Sequence, residues 1–445
     1  MKQNLGTEKV NQLLWQLSIP AILGMLSSAI FNIVDRIYVG KISSYALTAV
    51  GITMPIQILQ MAFILLVGVG SSSLISIKLG EEKKEEAEAI LYLAFKSIIV
   101  FLIVFAGLFM IFLDPILDLL AISKEVYPYA KVYIVVIIVG SIIGIPGYCL
   151  NNSLRSIGQA KTSMNIIVVT SILNIILDPI FIFVFKLGIA GAAIATVISQ
   201  ATLTIYVIYV FMKRKDFMIH LRKCKVDHEG KLLVEAFRMG LPSFYVQVLA
   251  TVVNVFINNS LLRYGTDLDI AAVTIMASIF SFYHMVIFGI VQGNNAICGY
   301  NFGAKRYDRV RRSLELALLY GFALSAILFI VIQVYPSGIV GMFSDDPILV
   351  ENASIGIRIY LCMLPLIGLQ TVSSQYFQAV GKAKRSSMLS FLRYGVIIVP
   401  TILVFAPKLG VNGIYISNAL SDGLASIIAL IYIIIEVKRL KRLEQ

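Results

Sequence analysis

Long apolar runs recur along the chain, separated by short polar stretches, and two of them (132–154 and 187–212) carry no charge at all. A helix needs about 20 mostly apolar residues to cross the hydrocarbon of a bilayer. The pattern therefore predicts an all-α polytopic membrane protein with twelve spans between residues 13 and 436. One stretch breaks the pattern: FNIVDRIYVG (31–40) closes the first apolar run and puts Asp35 and Arg36 inside the first span. A charge at that depth is costly, and it calls for a functional reason.

The landmarks also repeat. RSIGQAKTSM (155–164) returns as QAVGKAKRSSM (378–388), and KLGIAG (186–191) returns as KLGVNG (408–413). The pairs Gly70/Gly293, Gly80/Gly303 and Gly158/Gly381 each lie 223 positions apart, and Pro20/Pro242 lie 222 apart. This predicts two parallel-repeat six-helix lobes, 1–212 and 234–445, joined by a basic cytoplasmic linker at 213–233. An even number of spans per unit gives both halves the same orientation. That is the parallel-repeat plan of transporters that alternate access to a site between two bundles. Prolines within the spans, Pro20 among them, remove backbone hydrogen bonds and supply hinges.

Composition and charge sharpen this reading. Hydrophobic residues make up 58% of the chain and charged ones only 14%, outside the balance of soluble domains. The formal charge of +12 gathers on alternate loops, in KRKDFMIHLRKCKVDHEGK (213–231), GAKRYDRVRR (303–312), GKAKR (381–385) and the tail VKRLKR (437–442). By the positive-inside rule this basic surplus is topology and not a nucleic-acid footprint. Both termini are expected to be cytoplasmic, in a multi-pass protein of the inner (cytoplasmic) membrane. The N-terminus, MKQNLGTEKVNQ, has no signal-peptide pattern, so the first span is expected to be retained. Cys149, Cys224, Cys298 and Cys362 form no CxxC pair and read as buried thiols. EEKKEEAE (81–88) reads as a solvated cytoplasmic turn. HExxH, GxxxxGK[ST] and GxSxG are absent, so neither an enzyme nor a cofactor is expected.

Polar side chains mark one face of several spans. Ser28, Asn32 and Asp35 follow i, i+4, i+7 spacing on span 1; Thr170, Asn174 and Asp178 step by four on span 5, just before Pro179; Thr196, Ser199 and Gln200 share a face of span 6; Asn151 closes span 4. Two carboxyls, amides and hydroxyls in one bundle are hard oxygen ligands, suited to H+ or Na+ and not to zinc or copper. Sheltered together, the acids can lose their charge to an ion and regain it when water enters. In the second half Asn258 stands at the position equivalent to Asp35, and Gln247, Asn254 and Asn258 line one face of span 7 as an uncharged wall. Asp422 and Arg393 read as a buried structural pair, and His284 as a packed neutral side chain among aromatics.

IPAILGMLSSAIFNIVDRIYVG, LRSIGQAKTSM, NIILDP and GIAGAAIATVISQ together resemble the multidrug and toxic compound extrusion (MATE) family, across nearly the whole chain and both repeats. Within that family the chain most resembles the bacterial drug-efflux group that keeps an acid in span 1. The resemblance implies a coupling site for Na+ or H+ at Asp35, Asn174, Asp178 and Thr196, with Asn151 nearby and Pro20 as the bend of span 1. Another branch uses acids in spans 7 and 10, where this chain has Gln247 and the uncharged LPLIGLQTVSSQ (364–375).

The expectation is thus a monomeric antiporter in the lipid bilayer. It would exchange an organic, cationic and amphipathic small molecule for inward H+ or Na+. The alternative is a flippase for a lipid-linked sugar, which would need a cavity rich in Arg and Lys to hold a pyrophosphate. Spans 1, 2, 7 and 8 offer only Arg36 and Arg238 for that purpose.

Overall fold

The computed structural model describes residues 5–120, 122–214, 217–224 and 226–445. The first four residues of the expected cytoplasmic N-terminus, and 215, 216 and 225 of the expected linker, lie outside the described residues. Among those described there is no strand. In hydrocarbon every backbone N–H and C=O must be satisfied within the chain, and helices achieve this segment by segment.

The first half runs α1 (Val10–Ile42), α2 (Ser44–Gly80), α3 (Lys84–Ile111), a short α4 (Leu113–Leu119), α5 (Tyr127–Gly144), α6 (Pro146–Ser156), α7 (Ala160–Pro179) and α8 (Gly188–Lys213). The second half runs α9 (Glu229–Tyr264), α10 (Asp267–Gly303), α11 (Tyr307–Val334), a short α12 (Pro336–Val340), α13 (Pro347–Tyr360), α14 (Leu364–Ala379), α15 (Ala383–Phe391), α16 (Ile398–Leu409) and α17 (Val411–Glu444). Eleven described segments are long and apolar enough to cross a membrane, and α13 with α14, bent by 51°, supplies a twelfth. Several helices outrun their apolar cores, because a helix can continue with polar residues once it leaves the hydrocarbon.

The repeat is visible in the backbone. Gly158 and Gly381 have φ of 80° and 79°, Gly188 and Gly410 have 56° and 61°, and even the non-glycine pair Glu82 and Lys305 adopts 62° and 56°. Matching left-handed residues at matching turns mean that the same connections were built twice.

Contacts divide the chain into two compact units, Ile19–Gly240 in one and Leu5–Ser18 with Leu241–Gln445 in the other. Helix α1 therefore changes unit just before Pro20, and α9 changes unit just before Pro242. Within the first unit the start of α9 lies tight against α2, where a β-carbon on Gly240 would stand 1.8 Å from the Leu66 carbonyl oxygen.

Glycines also seat α8 against the broken helix α5–α6. A β-carbon at Gly140 would lie 2.2 Å from Val197, at Gly144 2.7 Å from Gln200, and at Gly147 2.5 Å from Thr204. Pro146 interrupts this helix, and the Thr204 hydroxyl closes the gap by accepting from the Gly147 N–H (3.0 Å) and donating to the Gly144 carbonyl (2.7 Å).

The reading of 81–88 as a solvated turn needs correction at its end. Residues 81–85 are exposed, but Glu88 is fully buried. Its carboxylate takes hydrogen bonds from Arg222 Nε (2.5 Å), the His220 N–H (3.1 Å) and Cys224 Sγ (3.5 Å), so it anchors the described part of the linker. Phe217 and Ile219 of the same segment are also buried. All four cysteines are free; Cys149 and Cys298 are buried, whereas Cys224 and Cys362 are only half-buried.

Candidate functional site

The first unit carries an acidic cluster built from α1, α7 and α8, with α2 and α5 beside it. Asp178, the last residue before Pro179, is fully buried, and a π-helical turn (Ile180–Val184) follows at once. Asp35 of α1 is half-buried, and its carboxyl lies within hydrogen-bonding reach of the Asp178 carboxyl. One turn before Asp178, Asn174 is buried and directs Nδ2 at Asp178 Oδ1 (3.4 Å) and at Thr196 Oγ1 of α8 (3.5 Å). Thus i, i+4 spacing on α7 and the close seat of α8 bring together the four residues that the sequence singles out.

The cluster is short of donors. Asp35 Oδ1, Asn174 Oδ1 and Asp178 Oδ2 are buried without a hydrogen-bond partner, and so is Ser199 Oγ on the same face of α8 as Thr196. Unpaired buried acceptors cost free energy. Such oxygens are satisfied by a proton on one carboxyl or by a small cation among them. Among the described residues no three His, Cys, Asp or Glu side chains cluster as a metal site. The donor set is two carboxyls, an amide and a hydroxyl, all oxygen, which fits H+ or Na+.

An apolar cluster closes around these groups. Val39 stands one turn beyond Asp35, Ile182 one turn beyond Asp178, and Ala192 one turn before Thr196, all packed with Ala130 and Ile137 of α5. Tyr133 belongs to the same cluster; it pairs with the Gln57 side chain of α2 and feels the charges of Asp35, Arg36 and Asp178. Neither Tyr133 nor Gln57 is singled out by the sequence. A hydroxyl in the otherwise aliphatic run VYIVVIIVG, and an amide in PIQILQ, were the available signals.

The remaining sequence-derived residues are less engaged. Asn32 is exposed and donates to the Ser28 carbonyl (2.7 Å), and Thr170 bonds only the Ile166 and Ile167 carbonyls of its own helix. Asn151 is buried on α6 with Oδ1 unpartnered. Arg36 is exposed and reaches Met54 Sδ at 3.7 Å. In the second unit Gln247 is half-buried, whereas Asn254 and Asn258 are exposed on α9. Pro20 is buried in α1. His284 lies between the Phe280 and Phe288 rings, tilted by 33° and 43° to them, as expected of a packed histidine.

Comparison with known proteins bears on the fold and this cluster together. The model of the MatE family matches residues 20–180 and 242–404, one segment in each repeat. The chain belongs to the MatE family. This MatE-family protein is a multi-pass membrane transporter and not an enzyme. It is 26% identical over 423 residues to the "Multidrug export protein MepA" of Staphylococcus saprophyticus, covering 94% of this chain and 92% of that one. It is 27% identical over 414 residues to the protein of the same name from Staphylococcus haemolyticus, covering 93% and 91%. A solved structure described as the outward-facing conformation of a multidrug resistance MATE family transporter of the MOP superfamily superposes with a TM-score of 0.90, at 24% identity and over 98% and 97% of the two chains. That likeness shows the fold.

Proposed function

We propose that this protein is a secondary antiporter that exports organic, cationic and amphipathic compounds in exchange for inward H+ or Na+. The observation that carries the reading is the Asp35/Asp178 pair, two carboxyls from different helices within reach of each other and with oxygens that no donor satisfies. The two staphylococcal relatives are named as multidrug export proteins, which supports multidrug compounds as the cargo.

In this mechanism Asp35 and Asp178 receive the coupling ion, with Asn174 and Thr196 completing the oxygen set. Loaded, the pair is neutral and tolerates closure of the apolar wall around Val39, Ile182 and Tyr133. Empty, its charge draws water and holds that end of the bundle open. The π-turn after Pro179 and the change of unit before Pro20 support a bend of α7 and α1 in this step, with Pro20 as a hinge. A tenfold ion gradient supplies about 1.4 kcal/mol, and each charge crossing 100 mV adds about 2.3 kcal/mol. Asn151, Asn32, Gln247, Asn254 and Asn258 serve as polar substrate contacts, and the basic loops keep both termini cytoplasmic in the inner membrane. A monomer is the working unit in this reading, which the presence of both repeats in one chain supports.

Lipid flipping would need a cavity rich in Arg and Lys, and the two candidates in spans 1, 2, 7 and 8, Arg36 on α1 and Arg238 on α9, are too few to form such a cluster. The test is dye efflux from reconstituted vesicles under separately imposed pH and sodium gradients. Export driven by one of them supports the reading; export indifferent to both refutes it.

A further inference from the structure

The two lobes carry the same polar scaffold with opposite hydrogen-bond balance. At the repeat interval of 222, Thr196, Ser199 and Gln200 of α8 correspond to Asn418, Ser421 and Asp422 of α17. Thr170 lies as far beyond Gly158 as Arg393 lies beyond Gly381. Of the N-terminal set only Ser199 Oγ is unpartnered, and the other unpaired oxygens of that lobe belong to Asp35, Asn174 and Asp178 beside it. The C-terminal set is closed: Arg393 Nε donates to Asp422 Oδ1 (2.6 Å), Asn418 Nδ2 donates to Asp422 Oδ2 (3.4 Å), and Ser421 Oγ donates to the Arg393 carbonyl (2.8 Å). Arg393 and Asp422 are buried, at 6% and 3% exposure. A π-helical turn (Leu392–Ile397) holds Arg393, with its guanidinium over the Phe280 and Tyr394 rings. Extra residues in a π-turn re-aim side chains, and such turns gather at functional sites.

We propose that Arg393 is a tethered cation that neutralises Asp422 within the C-terminal lobe, whereas the N-terminal lobe leaves its acid pair to a free ion. Ion exchange is thereby confined to the N-terminal lobe, and deletion of the guanidinium opens Asp422 as a second site for a monovalent cation, Na+ or H+. This rests on the reading of Asp35 and Asp178 as the coupling site. One carboxylate facing one guanidinium is already neutral, so at Asp422 an incoming ion has no charge to cancel. A buried carboxylate stripped of its partner must be neutralised by something else.

The test is equilibrium binding of radioactive sodium to the purified full-length protein, and, for protons, the release on a pH jump taken as the difference from R393Q/D35N/D178N/D422N, which lacks all three acids. R393Q is expected to bind about twice the saturating amount of the wild type, whereas R393K and R393Q/D422N bind the wild-type amount. D35N/D178N is expected to bind no sodium and to show no proton release beyond that of the variant lacking all three acids. A folded R393Q with no gain overturns the proposal, as does binding by D35N/D178N that disappears when D422N is added. Where R393Q does not fold, that second comparison decides alone: no binding by D35N/D178N supports the proposal. Wild-type binding by D35N/D178N that D422N leaves intact instead refutes the coupling-site reading, so the two failures are told apart.

Discussion

Asn174 offers its side-chain N–H₂ to Asp178 Oδ1 at 3.4 Å and to Thr196 Oγ1 at 3.5 Å, and so joins α7 to α8 through the acidic cluster. Both distances are long for hydrogen bonds. Replacing Asn174 with Ala removes this bridge and one oxygen. The cation concentration for half-maximal export is expected to rise about tenfold, or about 1.4 kcal/mol, with the protein still monodisperse. Unchanged cation dependence of dye export would exclude Asn174 from the site.

Pro20 stands where α1 passes from one compact unit to the other. Pro20→Ala restores a backbone N–H and straightens the preference of the helix. Export in vesicles is expected to fall several-fold while the melting temperature holds or rises slightly, because a helix-interior proline is unfavourable by about 3 kcal/mol relative to Ala. Wild-type export by this variant would remove the hinge role.

Glu88 is the buried anchor of the linker. Glu88→Ala leaves the Arg222 charge and the His220 N–H without their acceptor, at a cost of about 1–3 kcal/mol. The discount from larger buried-pair values reflects Arg222, whose side chain is 61% exposed. Limited trypsin digestion is expected to cut the 213–231 linker faster than in the wild type. Equal cleavage rates would mean that the linker is held by Phe217 and Ile219 alone.

Much of the site was legible in the sequence because its members obey helical spacing and stand out against apolar neighbours, as Asp35, Asn174 and Asp178 do. Asp422 and Arg393 could be paired on the same ground, and the pair forms. Tyr133 and Gln57 escaped notice, since a tyrosine or glutamine in a span is unremarkable until the fold brings it beside a carboxyl. Glu88 looked like one more charge in a solvated run; nothing local announced that Arg222, 134 positions away, would return to it. The exchange of Leu5–Ser18 between units was equally hidden, because a continuous helix carries no mark where its packing partner changes.

The polar edge at the end of α2 gives a pH dependence. Partial burial raises the Glu81 carboxyl, but hydrogen bonds and charges from Lys83 and Lys78 outweigh this and hold it below its ordinary 4.5. A carboxylate lowered on folding stabilises the protein above its unfolded value, and that contribution fades as pH falls from 4.5 through the folded value. Glu81→Gln is expected to lower stability by about 0.5 kcal/mol at neutral pH and to match the wild type in strong acid. Thermal unfolding of both proteins across that range checks it; a constant difference at all pH values would assign the effect to packing.

The most direct measurement is uphill dye export by vesicles containing Asp35→Asn, at equal amounts of folded protein and under the gradient that drives the wild type. Loss of gradient-driven export, with dye exchange down its own gradient retained, is the expected result. Undiminished uphill export by that variant would contradict the coupling of transport to the Asp35/Asp178 pair.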